Sequence, residues 1–421
     1  MRALIVLLLC AVLLLGCAGQ EEAKEKTTEG AEQAAGKEVV KIGIIGPMDT
    51  KYGIAMERAA RIAAEEINAE GGILGKKVEV ITADTKFNPD TATSEFRRLA
   101  SECDVVIGGF SSGVALSMLE VMAETKTLWL GDASSPRLTD KVAEDYEHYK
   151  YFFRPLVTNA STFPLDMADM LDFLNSKGMN IKKVAIIRDD ALWTDDVMAV
   201  LKPLLEEKGY EIVMDAKVQK GTEDFTTLLL EAQEKADVIM PIIAHVKGVA
   251  LVKQWAEMGM KIPIAGHDLS AIDPDFWDAT EGKCYGEIYT ADGGGVPTPL
   301  NEKMEHFLNA YKEKYGKLPE AYSAYGVYDA VYIYKAAVEK AAQAGESDPF
   351  NADTLIPYLE SFNAENPFKG IRGNVAFTSN HDLTWGDGFV RNYICQWQDG
   401  KQVVVYPENI ATGELITPWA E

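Results

Sequence analysis

Apolar runs and helical apolar stripes alternate along this chain from Val39 onward, in the order strand, loop, helix. Val39-Val40-Lys41-Ile42-Gly43-Ile44-Ile45 is a strand of the buried type, ended by Gly46-Pro47. Met56, Ala59, Ala60, Ala63 and Ile67 then recur at the spacing of one helix face, and Gly71-Gly72 stops that helix. The order continues with a strand at 78–82, a helix at 89–100, a strand at 104–108, a helix at 113–124 and a short strand at 127–130. A second set begins after Phe152-Phe153-Arg154-Pro155. Strands at 184–188, 211–218, 237–243 and 262–265 there alternate with helices near 195–208, 223–235 and 247–258. A parallel partner strand is reached only through a crossover, so strands separated by such helices build parallel sheets from βαβ units. The expected fold is α/β, with two doubly wound parallel-sheet lobes.

The later part of the chain does not start a third set. Helices at 300–315 and 322–342 bring no strands of their own, and the aromatic- and β-branched-rich tail at 385–406 holds an Asp399-Gly400 turn that signals a hairpin. These elements complete the two earlier lobes. The chain then crosses between lobes near 155, 290 and 378, which makes a three-strand hinge. Lobe I is expected to comprise 39–157 plus 290–378, and lobe II 158–289 plus 379–421.

The N-terminus changes the picture of where the protein works. Met1-Arg2 precedes an apolar run of about 13 residues, Ala3 to Leu15. A spanning helix needs about 20 residues, so 1–16 reads as a secretory signal. Leu14-Leu15-Gly16-Cys17 resembles the lipobox of prokaryotic lipoproteins, which implies that the Cys17 thiol is acylated and begins the mature chain. The alternative is an ordinary signal peptide, or an uncleaved anchor, with an incidental Cys. Residues 18–38 contain no large apolar side chain and cannot fold alone. They read as a flexible tether, whose coil would span roughly 25 Å. The body is expected to be exported and held by lipid at the outer face of the cytoplasmic membrane, or to be periplasmic.

Processing would leave about 405 residues. A hydrophobic content of 47% supplies full cores, and no later stretch is long and apolar enough to span a bilayer. The formal net charge of −24 argues against nucleic acid and against lying flat on anionic lipid. Of the five Cys, Cys10 leaves with the signal, and Cys103, Cys284 and Cys395 are expected to be buried thiols. No C-x-x-C and no His pair at metal spacing occurs, so neither a metal nor another cofactor is expected.

Ligands of open parallel sheets sit at the carboxyl ends of the strands, where helix N-termini supply N–H groups. Two junctions in the first lobe fit. They are Ile107-Gly108-Gly109-Phe110-Ser111-Ser112-Gly113 and Leu130-Gly131-Asp132-Ala133-Ser134-Ser135-Pro136. Each sets a Ser pair where hydroxyls and N–H groups hold an oxyanion, or where Ser simply caps a helix. Gly109-Phe110-Ser111-Ser112-Gly113 also matches G-x-S-x-G, the nucleophile elbow of hydrolases. Catalysis there needs an acid and a His, for which Asp268 with His306 or His381 are the candidates. In the second lobe, Trp193 follows a strand and either walls a pocket or packs at a helix start. Asp268 either receives an ammonium group or faces water. Asp189, Asp190, Asp195 and Asp196 read as a solvated face, and His245 as a rim or buried residue.

These residues resemble a known family. Residues 39–47, then Ile67-Asn68-Ala69-Glu70-Gly71-Gly72-Ile73-Leu74-Gly75, then Ala83-Asp84-Thr85, look like the opening of type I periplasmic binding proteins. The branch is the leucine/isoleucine/valine-binding proteins of ABC importers. The resemblance runs from about 39 to the end and implies a non-enzymatic receptor without cofactor. It implies that Ser111 or Ser112 holds a ligand α-carboxylate, with Ala133, Ser134 and Ser135 in the next loop. It implies that Tyr52 and Trp193 supply aromatic walls, and that Asp268 receives the α-ammonium. The implied partners are a small solute, an amino acid first, and a permease with attached ATPases. Departures bear on the ligand. Asp268 is one methylene shorter than the usual Glu, Trp193 replaces a Tyr, no aromatic stands around 241–245, and the disulfide of some relatives has no Cys here. An aromatic or carboxylic acid, an amide, and a purely sensory role are the alternatives on this scaffold. A secreted Ser hydrolase using Ser111 is the alternative from another class.

Overall fold

The computed structural model describes residues 39–291, 295, 296 and 298–420. The signal, Cys17 and the tether lie outside the described residues.

The first sheet and its helices come from β1 (Val39–Gly46), α1 (Lys51–Ala69), β2 (Lys77–Asp84), α2 (Pro89–Glu102), β3 (Val105–Gly109), α3 (Ser112–Thr125), β4 (Trp129–Asp132), α4 (Arg137–Glu144), α5 (Tyr146–Tyr149) and β5 (Phe152–Phe153). Then follow α6 (Phe163–Ser176), β6 (Lys183–Asp189), α7 (Leu192–Glu207), β7 (Glu211–Val218), α8 (Thr226–Lys235), β8 (Val238–Ile243), α9 (Gly248–Glu257), β9 (Ala265–Asp268), α10 (Phe276–Ala279) and β10 (Ile288–Ala291). The last part holds α11 (Glu302–Tyr315), α12 (Ser323–Gln343), α13 (Ala352–Glu360), β11 (Phe368–Gly370), β12 (Gly373–Val375), β13 (Tyr393–Gln398) and β14 (Lys401–Tyr406).

The first sheet has the order β2-β1-β3-β4-β5, all parallel. The second has the order β14-β13-β10-β9-β8-β6-β7. Its pairings are parallel except the last two, in which β13 runs antiparallel to β10 and β14 antiparallel to β13. In both sheets the strand order reverses beside the first strand, between β1 and β3 and between β6 and β8. Those switch points leave a crevice at the carboxyl ends of the strands. α1 shows why the helices seat so closely. Its inner face is Ala55, Met56, Ala59, Ala60, Ala63 and Ile67, all fully buried and mostly small. α11 and α12 pack back on α1, while β13 and β14 extend the second sheet.

The chain passes between the two sheets three times: between β5 and α6, between β10 and α11, and between β12 and β13. Two buried arginines tie these crossings. Arg154 pairs with Asp382 at 2.9 Å, and Arg372 pairs with Asp329 at 2.9 Å. Arg372 also donates to the carbonyls of Pro155 and Leu156 at 2.6 and 3.0 Å.

Two expectations shift. The strand expected at 262–265 is Ala265–Asp268. Of the apolar run Ile262-Pro263-Ile264 only Ile264 makes a bridge, to Ile239, and the pairing with β8 continues through the polar but buried His267 and Asp268. The four acids at 189–196 are not one solvated face, since Asp189 and Asp196 are buried. Cys103, Cys284 and Cys395 are buried free thiols, and burial pushes them up to about 11, 12 and 12.

Candidate functional site

At the end of β3 the backbone turns through Gly108, Gly109 and Phe110 with φ of +115°, +141° and +95°. A Cβ at Gly108 would stand 2.2 Å from the Ile45 carbonyl oxygen, so β1 and β3 approach here only with glycine. Phe110 is a side-chain-bearing residue in the same region, a strain of roughly 1–3 kcal/mol of the kind found at ligand sites. Its N–H donates to the Asp132 carbonyl. Its ring stacks on Tyr52, with centroids 4.2 Å apart and planes at 28°.

α3 starts directly after Phe110. The Ser111 side chain makes no capping bond, so the first N–H groups of the helix are left unbonded by their cap. The Ser112 hydroxyl accepts from the Ser135 N–H at 3.2 Å. The loop after β4 is fixed from below by Arg154, which donates to the carbonyls of Ala133 and Ser135 at 2.6 and 2.9 Å. That leaves Ser134 toward the crevice.

The second lobe answers with three segments. Trp193 is the second residue of α7, 6% exposed, and its buried indole N–H has no partner. Asp189, at the end of β6, accepts from the N–H groups of Ala244, His245 and Val246 at 2.9, 2.8 and 3.0 Å. This staple sets the loop after β8. His267, in β9, shares a hydrogen bond of 2.8 Å between Nδ1 and the Thr290 hydroxyl. Burial lowers its pKa to about 3, so the ring is neutral. Burial also lowers His245, against the pull of Asp189.

The lobes meet directly. The Tyr52 hydroxyl donates to the Ala244 carbonyl at 3.0 Å, and Ser135 donates to Asp196 at 2.6 Å. Arg137 adds a 3.2 Å contact to the same carboxylate, and Lys51 reaches the Leu269 carbonyl at 3.4 Å. Between them lies a cavity of about 30 Å³. Its walls include Phe110, Ser112 and Ser134 from one side and Phe163, Trp193 and His267 from the other. A larger groove of about 530 Å³ lies elsewhere, beside α1, α11 and α12. One of its acids, Glu66, is already taken by Tyr328, Tyr332 and His306.

The structure thus brings Ser112, Ser134 and Trp193 to one cavity. Tyr52 is an interlobe strut behind Phe110, Ser135 a latch, and Ala133 an anchor for Arg154. Ser111 does not line the cavity, and neither does Asp268. Asp268 is 0% exposed, accepts from the Ser270 N–H at 2.7 Å, and is pushed up to about 6 by burial. For the nucleophile elbow, the two candidate His residues bond elsewhere, His306 to Glu66 and His381 to Glu360 and the Phe152 carbonyl. Sequence reasoning missed Phe110, Phe163, Tyr322 and His267, because an aromatic beside a strand reads as core. The Gly108-Gly109 pair ahead of Phe110 was the available signal.

Known proteins resemble this architecture. A family model described as periplasmic binding protein matches residues 39–401. "Leu/Ile/Val-binding protein homolog 8" of Brucella abortus is 28% identical over 391 residues, covering 89% of this chain and 92% of that protein. The substrate binding protein LivJ of Streptococcus pneumoniae, solved with isoleucine, is 24% identical with a TM-score of 0.70, over 86% of this chain and 97% of that one. A solute binding protein of Rhodopseudomonas palustris, solved with 3,4-dihydroxybenzoic acid, is 22% identical with a TM-score of 0.70, over 87% and 95%. With a match across nearly the whole described body and the same two-lobed fold, the chain belongs to the periplasmic binding protein family, whose members bind solutes.

Proposed function

We propose that this protein captures a small organic carboxylate between its lobes outside the cytoplasm and delivers it to an ABC permease with ATPase subunits. A lipid on Cys17 would hold the body at the membrane, a reading supported by the lipobox-like Leu14-Leu15-Gly16-Cys17. The observation that carries the reading is the interlobe cavity, with Ser112 and Ser134 on one wall and the indole N–H of Trp193 on the other. A solute touching both walls has differential affinity for the closed form, which couples binding to the hinge. Lobe I would fix the carboxylate through hydroxyls and the N-terminus of α3, and the permease would read closure.

Relatives support two solute classes. The Brucella name and the isoleucine complex point to branched-chain amino acids, and the dihydroxybenzoic acid complex points to aromatic acids. Both carry a carboxylate. The test is a thermal-shift screen of the protein lacking residues 1–16 against amino acids, aromatic acids and amides. Ligand present at 100 times its Kd stabilises the native state by about 2.7 kcal/mol. A screen in which no carboxylate raises the melting temperature refutes the reading.

A further inference from the structure

We infer that the solute of this cleft is a flat carboxylic acid without an ammonium group, an aromatic acid in place of an amino acid. The inference rests on the solute-binding reading of the same cavity and narrows it.

An α-amino acid brings an ammonium, which in a space shut off from water needs an anion. Among the described side chains that line the cavity there is no Asp or Glu. Asp268 stands between two lining residues, His267 and Leu269, yet is itself walled off. Its Oδ1 accepts from Ser270, and its Oδ2 lies so close to Gly248 that a methyl group there would come within 1.8 Å. Lys51 and Asp189 act on it through their charges, and beside it stands the carboxyl of Glu287, fully buried, with no N–H or hydroxyl partner for either oxygen. Two acceptors facing each other in a buried site hold together only with a proton between them. Burial and the Asp268 charge accordingly raise Glu287 well above the usual carboxylate range. This pair is built into lobe II and does not present a counter-charge to the cleft.

The indole N–H of Trp193 is buried and unpartnered, on a side chain that lines the cavity. The first N–H groups of α3, a helix of 14 residues, lack a side-chain cap. The Ser112 hydroxyl already accepts from Ser135, so its own proton is left to donate. Donors from both lobes converge on one space, which suits an anion.

Phe110, stacked on Tyr52, stands on one side. Phe163 and His267 lie 4.9 Å apart at 30° on the other, with Trp193 beside them at 6.3 and 5.9 Å. Rings from both walls line this space, and their flat faces pack a planar ring more readily than a branched aliphatic side chain.

Calorimetry on the full-length protein, purified in detergent, tests this with matched acids. The pairs are 3-phenylpropanoate against phenylalanine and 4-methylpentanoate against leucine, with benzoate as the flat reference. The expected result is that benzoate or 3-phenylpropanoate binds at least tenfold tighter than either amino acid. Trp193→Phe keeps the wall and removes the N–H, and is expected to weaken that acid about tenfold or more. Its melting temperature without solute is measured alongside, and Ser112→Ala serves as a second donor deletion. A preference below tenfold, or reversed toward an amino acid, overturns the inference and leaves the solute-binding reading intact. If neither class binds at millimolar concentration, the inference and the carboxylate reading both fall.

Discussion

Asp268→Asn changes one oxygen for an amide and should reshape how stability depends on pH. In the fold, Asp268 is fully buried, and burial lifts its pKa from 3.8 to about 6 despite the Ser270 N–H and the Lys51 charge. Asp189 and Glu287 face it as further acids, and Cys284 lies in the same field. The folded protein therefore holds this proton more tightly than the unfolded chain. That contribution is full below pH 3.8, declines as pH rises, and is lost by about pH 6. A rise of this size corresponds to about 3 kcal/mol. An amide neither ionises nor needs the proton. The variant is thus expected to gain about 3 kcal/mol on the wild type between pH 4 and pH 8. Urea unfolding of both proteins at pH 4, 6 and 8 measures this, and the difference between them cancels the titration of all other groups. A difference constant within about 0.5 kcal/mol, or a wild type that gains on the variant with rising pH, would refute the buried-pair argument.

Four further outcomes are expected. Cys17→Ala should release the protein from membranes, and retention after a high-salt wash would exclude the lipid tether. A fluorophosphonate probe should leave Ser111 unlabelled, since a serine without a base is not activated; labelling lost in Ser111→Ala would argue for hydrolysis. Ser135→Ala removes a hydrogen bond to the Asp196 carboxylate that exists only with the lobes together, so solute affinity should fall about tenfold, at about 1.5 kcal/mol for a bond to a charged group, and unchanged affinity would discount the latch. Arg154→Met strips Asp382 of its buried partner and should cost about 3–5 kcal/mol, read as a large fall in melting temperature.

Where strand pattern, turns and caps are local, the chain declared its fold. β7 falls on the expected 211–218, and the Asp399-Gly400 turn joins β13 to β14 with φ of +45° and +77°. α1 begins at Lys51, a turn earlier than its apolar stripe, because Thr50 supplies the cap and Gly53 the close approach to Pro47. α13, β11 and β12 went unread, being short and without a strong period. The site was legible where chemistry coincides with a strand end, as at Ser112, Ser134 and Trp193. It was illegible where tertiary contacts decide. Nothing local says that Asp189 will be spent on three N–H groups, or that Asp268 will face Glu287 and not the cleft. Those outcomes depend on residues 55 to 57 positions away in the first case and on Gly248 in the second.

Closure sets a limit on how strong the direct contacts between lobes can be. Moving a hinge from 1:99 to 99:1 needs about 5.5 kcal/mol of differential affinity. If the lobes held each other that firmly alone, the closed form would dominate without solute and a permease would meet unloaded receptors. The contacts here are of the weaker kind. Tyr52 makes one neutral hydrogen bond to Ala244, worth about 1 kcal/mol. The Arg137 side chain is half-exposed, so its attraction to Asp196 is screened. Lys51, whose pKa burial lowers, reaches Asp273 only at 3.6 Å. Ser135 with Asp196 is the one short charged contact at the latch. Together these narrow the gap between open and closed without closing it. On the proposed function, the remainder would fall to the unpartnered indole of Trp193 and the uncapped start of α3, which a solute spanning the two would satisfy.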